Sequence, residues 1–196
     1  DGWWSGSKVA PLAPSAPPPE TMEELAELGA VVFVHPTAMR GMHHPRFRPA
    51  VADYLLDTTR AAIGLVTSRT LSRFPSIRFI LSHGGGFVPY AAHRIAWLTE
   101  TFDHRYNGGE GGMSAEEILS GLRSFYFDLA VSSSGPQLSA LLNFCDSRQL
   151  LFGSDWPYAG DHAVGHFLHE YHTFEDLTTD QRRQIERENA ADLALI

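Results

Sequence analysis

Short apolar runs punctuate the chain, β-branched or aromatic in character and separated by stretches of helical period. AVVFV (residues 30–34), IRFIL (77–81), SFYFDLA (124–130) and QLLFG (149–153) read as buried strands. Between them lie predicted helices. Thr21-x-x-Glu24 has the form of a capping box and predicts a short helix ending near Gly29. Longer helical stretches are predicted from about Pro49 to Arg73, from the glycines at 84–86 to about Thr101, and over 136–146. Ser114-x-x-Glu117 and Thr178-x-x-Gln181 mark two more helix starts, the second opening a helix that runs to Leu195.

Strands that alternate with helices imply βαβ units and a parallel sheet. Two α/β architectures satisfy that pattern, an open doubly wound sheet and part of a (β/α)8 barrel. Residues 1–20, rich in Pro, Ala, Ser and Gly and without a hydrophobic period, read as a linker or disordered segment ahead of a domain over 21–196.

Composition narrows the classes of function. A chain of 196 residues, 43% of them hydrophobic, can bury one sizeable core. A net charge of −8 argues against nucleic acid or an anionic membrane surface as partner. No apolar run approaches the roughly 18 residues that span a bilayer. The single cysteine, Cys145, excludes an intramolecular disulfide, reads as a buried structural thiol, and fits a reducing compartment such as the cytoplasm. The opening DGWWSGSKVA has neither an initiator Met nor the apolar core of a signal peptide, and reads as a chain whose upstream part is missing.

Candidate chemistry gathers just after the strands. The first runs into His35-Pro36, the second into Ser82-His83-Gly84-Gly85-Gly86, and the fourth into Gly153-Ser154-Asp155-Trp156-Pro157, while the third carries Asp128 near its end. Parallel α/β barrels place such strand ends on one active-site face. Each residue has a plainer reading: a hydrogen-bonded structural histidine, an Asp155 that caps a helix, glycines that only turn the chain. Two imidazoles and a carboxylate at equivalent positions together favour a divalent-metal or acid–base site.

The segments VFVHPT (32–37), ILSHGGGFVPYAAHRI (80–95), FYFDLA (125–130), LLFGSDWPYA (150–159) and ERENAADLALI (186–196) resemble, in order, those of the amidohydrolase-related family. That family includes aminocarboxymuconate-semialdehyde decarboxylase, γ-resorcylate decarboxylase, 6-methylsalicylate decarboxylase and some lactone hydrolases. The resemblance covers roughly residues 21–196 and implies a partial TIM barrel of the metal-dependent hydrolase type, approximately strands five to eight. It implies His35 and Asp155 as metal ligands, His83 and Asp155 as acid/base groups, and Zn²⁺ as cofactor, with Mn²⁺ the alternative. Gly84 and Gly85 would let a small carboxylated substrate approach the backbone, with Phe87 and Trp156 as pocket walls. The implied reaction is nonoxidative decarboxylation of a hydroxy-aromatic or unsaturated acid; hydrolysis of a lactone or related carbonyl compound is the alternative.

The chain departs from the family where the His-x-His pair of its first strand would stand, since no H-x-H occurs in the sequence. His43-His44 are adjacent rather than alternating and read as a solvated loop. His162, His166, His169 and His172 read as an exposed helix without the Glu of a zincin. SHGGG lacks the G-x-G-x-x-G spacing of a dinucleotide site. A third reading is therefore a catalytically incomplete barrel fragment, completed by a homo-oligomer or by a complementing N-terminal half barrel. If His35, His83 and Asp155 serve one ion, their side chains must converge; a separation beyond about 10 Å excludes it, because metal–ligand bonds are about 2 Å long.

Overall fold

The computed structural model describes residues 9–12, 19–37, 46–109 and 111–196. Five parallel strands form one sheet: β1 (Val9–Leu12), β2 (Val31–Val34), β3 (Arg78–Leu81), β4 (Tyr126–Asp128) and β5 (Leu150–Leu151). Their spatial order is the order of the sequence. A doubly wound sheet reverses strand order at a switch point, whereas successive barrel strands lie side by side, so this topology is that of a barrel segment. Strand β1 lies inside the stretch whose composition reads as linker, and pairs in register with β2 from Val9 opposite Val31 to Leu12 opposite Val34. Pro11 suits this place, since an edge strand tolerates a residue with no N–H to donate.

The register decides which side chains share a face. Val34, Leu81, Phe127 and Leu150 align, and join Val32, Phe79 and Phe125 in the main core. The helices α2 (Asp53–Thr67), α4 (Val88–Asn107), α5 (Ala115–Arg123) and α6 (Gly135–Phe144) cover that face with Ala62, Leu65, Val88, Ala92, Ile118, Leu122, Leu138 and Leu141. The opposite face carries Val31, Ile80 and Leu151, packed with Phe33, Tyr126 and Leu193. Both faces of β2 to β5 are thus largely apolar, which explains why these strands read as continuous hydrophobic runs rather than alternating ones.

Helix ends follow local chemistry, with two departures from expectation. Ser114 and Thr178 cap α5 and α8 (Thr179–Arg183), each accepting from the backbone N–H three residues on, at 3.2 Å in both cases. Thr21, by contrast, lies inside α1 (Pro19–Glu27), which begins at a proline. The predicted helix over 49–73 is broken: α2 ends at Thr67, Arg69 turns left-handed at φ 58°, and a separate α3 (Thr70–Arg73) follows. Helix α7 (Gly160–Thr173) carries all four late histidines on its exposed surface.

The C-terminal segment locks the last strand. After α8 a π-helical turn (Gln184–Glu188) leads into α9 (Asn189–Asp192), and the Ile185 carbonyl accepts from Phe152 N–H at 3.0 Å. The buried Asn189 amide donates to the carbonyls of Ser147 at 2.9 Å and Leu150 at 2.7 Å. Asn189→Ala would leave both carbonyls without that donor. We expect a loss of about 1–3 kcal/mol in chemical denaturation, with no change in the secondary structure seen by circular dichroism.

Candidate metal centre

His35 follows β2 by one residue and lies on the face of Val31 and Phe33, as the two-residue period of a strand requires. Its ring stacks on Phe33 at 6.2 Å between centroids. The segment behind it is pinned to α2, where the buried Asp57 carboxylate accepts from Thr37 N–H at 2.9 Å. Asp57 was not legible as part of this scaffold, because nothing in a helical stretch distinguishes a carboxylate that reaches a loop twenty residues earlier.

His83 sits at the first position of the turn after β3 and is buried. It is left-handed at φ 53°, and Gly84, Gly85 and Gly86 follow at positive φ. The glycines are required by space as well as by conformation. A Cβ on Gly84 would lie 3.0 Å from Ser132 Cβ, on Gly85 2.7 Å from the Phe127 ring, and on Gly86 2.1 Å from the Leu55 carbonyl oxygen. The space that a side chain would take at Gly84 and Gly85 is thus filled by Ser132 and Phe127, and glycine there lets the turn place His83.

Asp155, half-buried and left-handed at φ 60°, follows β5 by four residues. The structure brings His35, His83 and Asp155 together, with one ligand atom of each within 4.8 Å of the others. Among the described residues no other group of three or more His, Cys, Asp or Glu side chains does this. The two imidazole rings meet edge to face at 5.4 Å. His35 Nδ1 donates to the Pro36 carbonyl at 3.0 Å and His83 Nδ1 to the Ala130 carbonyl at 3.2 Å. Each ring thereby leaves Nε2 as its free ligand atom. Two neutral nitrogens and a carboxylate form a donor set that fits a divalent cation. The late histidines of α7 form no such set, and His43-His44 lie outside the described residues.

Electrostatics separate the acidic groups. Burial pushes the His83 pKa below the usual imidazole value, opposed by its bond to Ala130 and by the nearby Asp155, while His35 adds to the lowering. Asp128, at the end of β4, is pushed up to about 7 by desolvation, with the neighbouring Asp155 charge adding to the rise. Its carboxylate occupies the place a Cβ on Gly153 would take, 2.6 Å from Oδ2. Cys145, half-buried in the apolar region behind α6, is pushed up to about 12 by burial and by Asp146, which fits an inert structural thiol. Phe87 and Trp156 are 39% and 64% exposed; the Phe87 N–H donates to Thr59 Oγ1 at 2.8 Å and the Trp156 indole N–H to Asp161 at 3.1 Å.

A folded-state pKa above the ordinary carboxyl value of 3.8 means that folding disfavours ionised Asp128. The cost is absent below that value, grows as pH rises, and is complete above about 7. In metal-free protein, Asp128→Asn should gain on the order of 2–4 kcal/mol over the native chain at pH 8 and little at pH 4. Urea denaturation at the two pH values measures the difference.

The sequence matches the amidohydrolase family over residues 6–193. It is 36% identical over 177 residues to a 6-methylsalicylic acid decarboxylase of Penicillium expansum, covering 87% of this chain and 51% of that protein. The chain thus spans about half the length of the curated relatives it matches. Its fold superimposes on an amidohydrolase II with a TM-score of 0.78 at 22% identity, over 96% of this chain and 61% of the other. A 5-carboxyvanillate decarboxylase of Novosphingobium aromaticivorans, solved with manganese and 4-hydroxy-3-methoxy-5-nitrobenzoic acid, gives 0.75 at 17% identity, over 89% and 50%. In barrel order, sequence and fold alike, the chain belongs to the amidohydrolase family.

Proposed function

We propose that this chain carries the metal-ligating part of a carbon–carbon lyase, a nonoxidative decarboxylase of a small hydroxy-aromatic or unsaturated carboxylic acid. One observation carries the reading: His35, His83 and Asp155 converge within 4.8 Å just beyond the C-terminal strand ends of the sheet. The 36% identity to 6-methylsalicylic acid decarboxylase supports the choice of reaction.

His35 and Asp155 hold the ion through Nε2 and a carboxylate oxygen, with His83 beside them. The imidazole pair favours Zn²⁺, and Mn²⁺ is the alternative supported by the manganese complex of the 5-carboxyvanillate decarboxylase. A divalent ion there supplies a Lewis-acidic charge that holds anionic substrate oxygens and draws electron density away from the bond to be broken.

Decarboxylation replaces a carboxylate by a hydrogen. The carbon–carbon bond breaks, CO₂ leaves, and the electron pair stays on the substrate carbon, where a proton takes it. The His83–Asp155 pair delivers that proton. Burial lowers the proton affinity of His83 and the nearby Asp155 charge opposes that lowering, so a proton on His83 is readily given up and is favoured only beside Asp155. Phe87 and Trp156 are exposed apolar surface beside the turn and beside Asp155, and we assign them as walls for an aromatic ring. Gly84 and Gly85 serve substrate through the backbone that they allow to turn. The ion's remaining coordination comes from outside these three residues, through a second copy of the chain or an N-terminal half barrel.

Elemental analysis of dialysed protein should find about one Zn or Mn per chain, absent from His35→Ala and Asp155→Ala. With 6-methylsalicylic acid as substrate, CO₂ release should fall in both variants by more than the 10–100-fold typical of changes around a metal's ligands. Folded protein that retains no metal would overturn the reading, and ring opening of a lactone without CO₂ would select hydrolysis instead.

A further inference from the structure

Three features of the fold converge on Asp128. The register of β4 with β5 places it opposite Leu151, on the same sheet face as Val31, Phe33 and His35. Across the strand pair Gly153 has no side chain, and a Cβ there would stand 2.6 Å from Asp128 Oδ2 and 2.9 Å from Oδ1. The space for the carboxylate thus exists only because residue 153 is glycine.

The third feature is what the carboxylate holds. Asp128 Oδ1 accepts a short hydrogen bond from Ala130 N–H, and the carbonyl of that same Ala130 accepts from His83 Nδ1 at 3.2 Å. The segment that follows Ala130 does not rest in a relaxed conformation. Val131, a β-branched residue, is left-handed at φ 45°, a state that such residues adopt only when their surroundings impose it. A turn of this kind relaxes unless something fixes it, and the Asp128 side chain bonds to the N–H of Ala130, the residue whose carbonyl meets His83.

We infer that Asp128 is a positioning residue, which holds the Ala130 carbonyl where it fixes the His83 ring with Nδ1 protonated and Nε2 turned to the metal site. The inference rests on the reading of His83 as part of that site, but its main readout does not require metal. An imidazole whose Nδ1 donates to a fixed carbonyl is locked in one tautomer; one that has lost the carbonyl samples both.

The test is histidine ¹⁵N NMR on metal-free protein, above the titration range of imidazole, in three variants, with Zn²⁺ and Mn²⁺ affinities measured in parallel by calorimetry. In the native chain and in Asp128→Asn, which keeps an oxygen to accept from Ala130 N–H, the His83 signals should report the Nδ1–H tautomer. Asp128→Ala should give averaged tautomers and a 10–100-fold loss of metal affinity. Gly153→Ala displaces the carboxylate without removing it and should act in the same direction, so it carries the test if Asp128→Ala does not fold. A single Nδ1–H tautomer and metal affinity within about twofold of native in the folded alanine variants would overturn the inference. So would averaged tautomers in Asp128→Asn. A native chain that binds neither ion while the tautomers respond as expected would remove the metal reading and leave the role of Asp128 standing.

Discussion

The turn after β3 has no spare volume, and the site depends on that. Gly86 approaches the Leu55 carbonyl so closely that any side chain would collide with backbone. Backbone cannot give way as a flexible side-chain end can, so α2 and the turn are fixed relative to each other. The Thr59 hydroxyl completes the clamp by accepting from Phe87 N–H while donating to the Leu55 carbonyl at 2.7 Å. Because the chain must reverse within residues 83–86, His83 is carried off the strand axis and into contact with the end of β4. His83 is therefore located by packing of the glycines on helix α2 and on Phe127.

The sheet divides its labour by face. One face buries Phe79, Leu81, Phe125, Phe127 and Leu150 against helices, and supplies most of the apolar area that holds the fold. The other face carries a thinner cluster, Val31, Ile80, Leu151 and Leu193, and continues towards the strand ends as His35 and Asp128. A carboxyl on that face is desolvated by its neighbours, and the proximity of Asp155 sharpens the effect. The same two-residue alternation that builds the core thus delivers polar groups to one end of one face. No separate structural device is needed to collect them.

Much of this was legible in the sequence, for physical reasons that differ residue by residue. Strands at Val31–Val34 and Arg78–Leu81 announce themselves because both faces are buried, and His35 and His83 because they follow such runs directly. Helix starts at Ser114 and Thr178 were legible because capping is a local hydrogen bond. The same pattern at Thr21 misled, since a proline at Pro19 had already begun the helix. Val9–Leu12 was hidden because pairing with β2, rather than any periodicity of its own, makes it a strand. The left-handed turns at Arg69, His83, Val131 and Asp155 were hidden as well, because none of these residue types requires them. The Asp128–Gly153 fit is a relation between two strands, and no local pattern encodes it.

The donors differ in how firmly they are held, and the difference gives the site a direction. His83 is buried, strained in backbone and bonded to a carbonyl in the turn after β4, so its position is over-determined. Asp155 is likewise strained but only half-buried. His35 is exposed, and its ring bonds only to the carbonyl of the adjacent Pro36, a contact that constrains the tautomer more than the place. Strained conformations persist only where the surroundings enforce them, so the β3–β5 side of the site is rigid and the β2 side is adjustable. A cation that draws the three donors together from their present spacing would therefore move His35 more than His83.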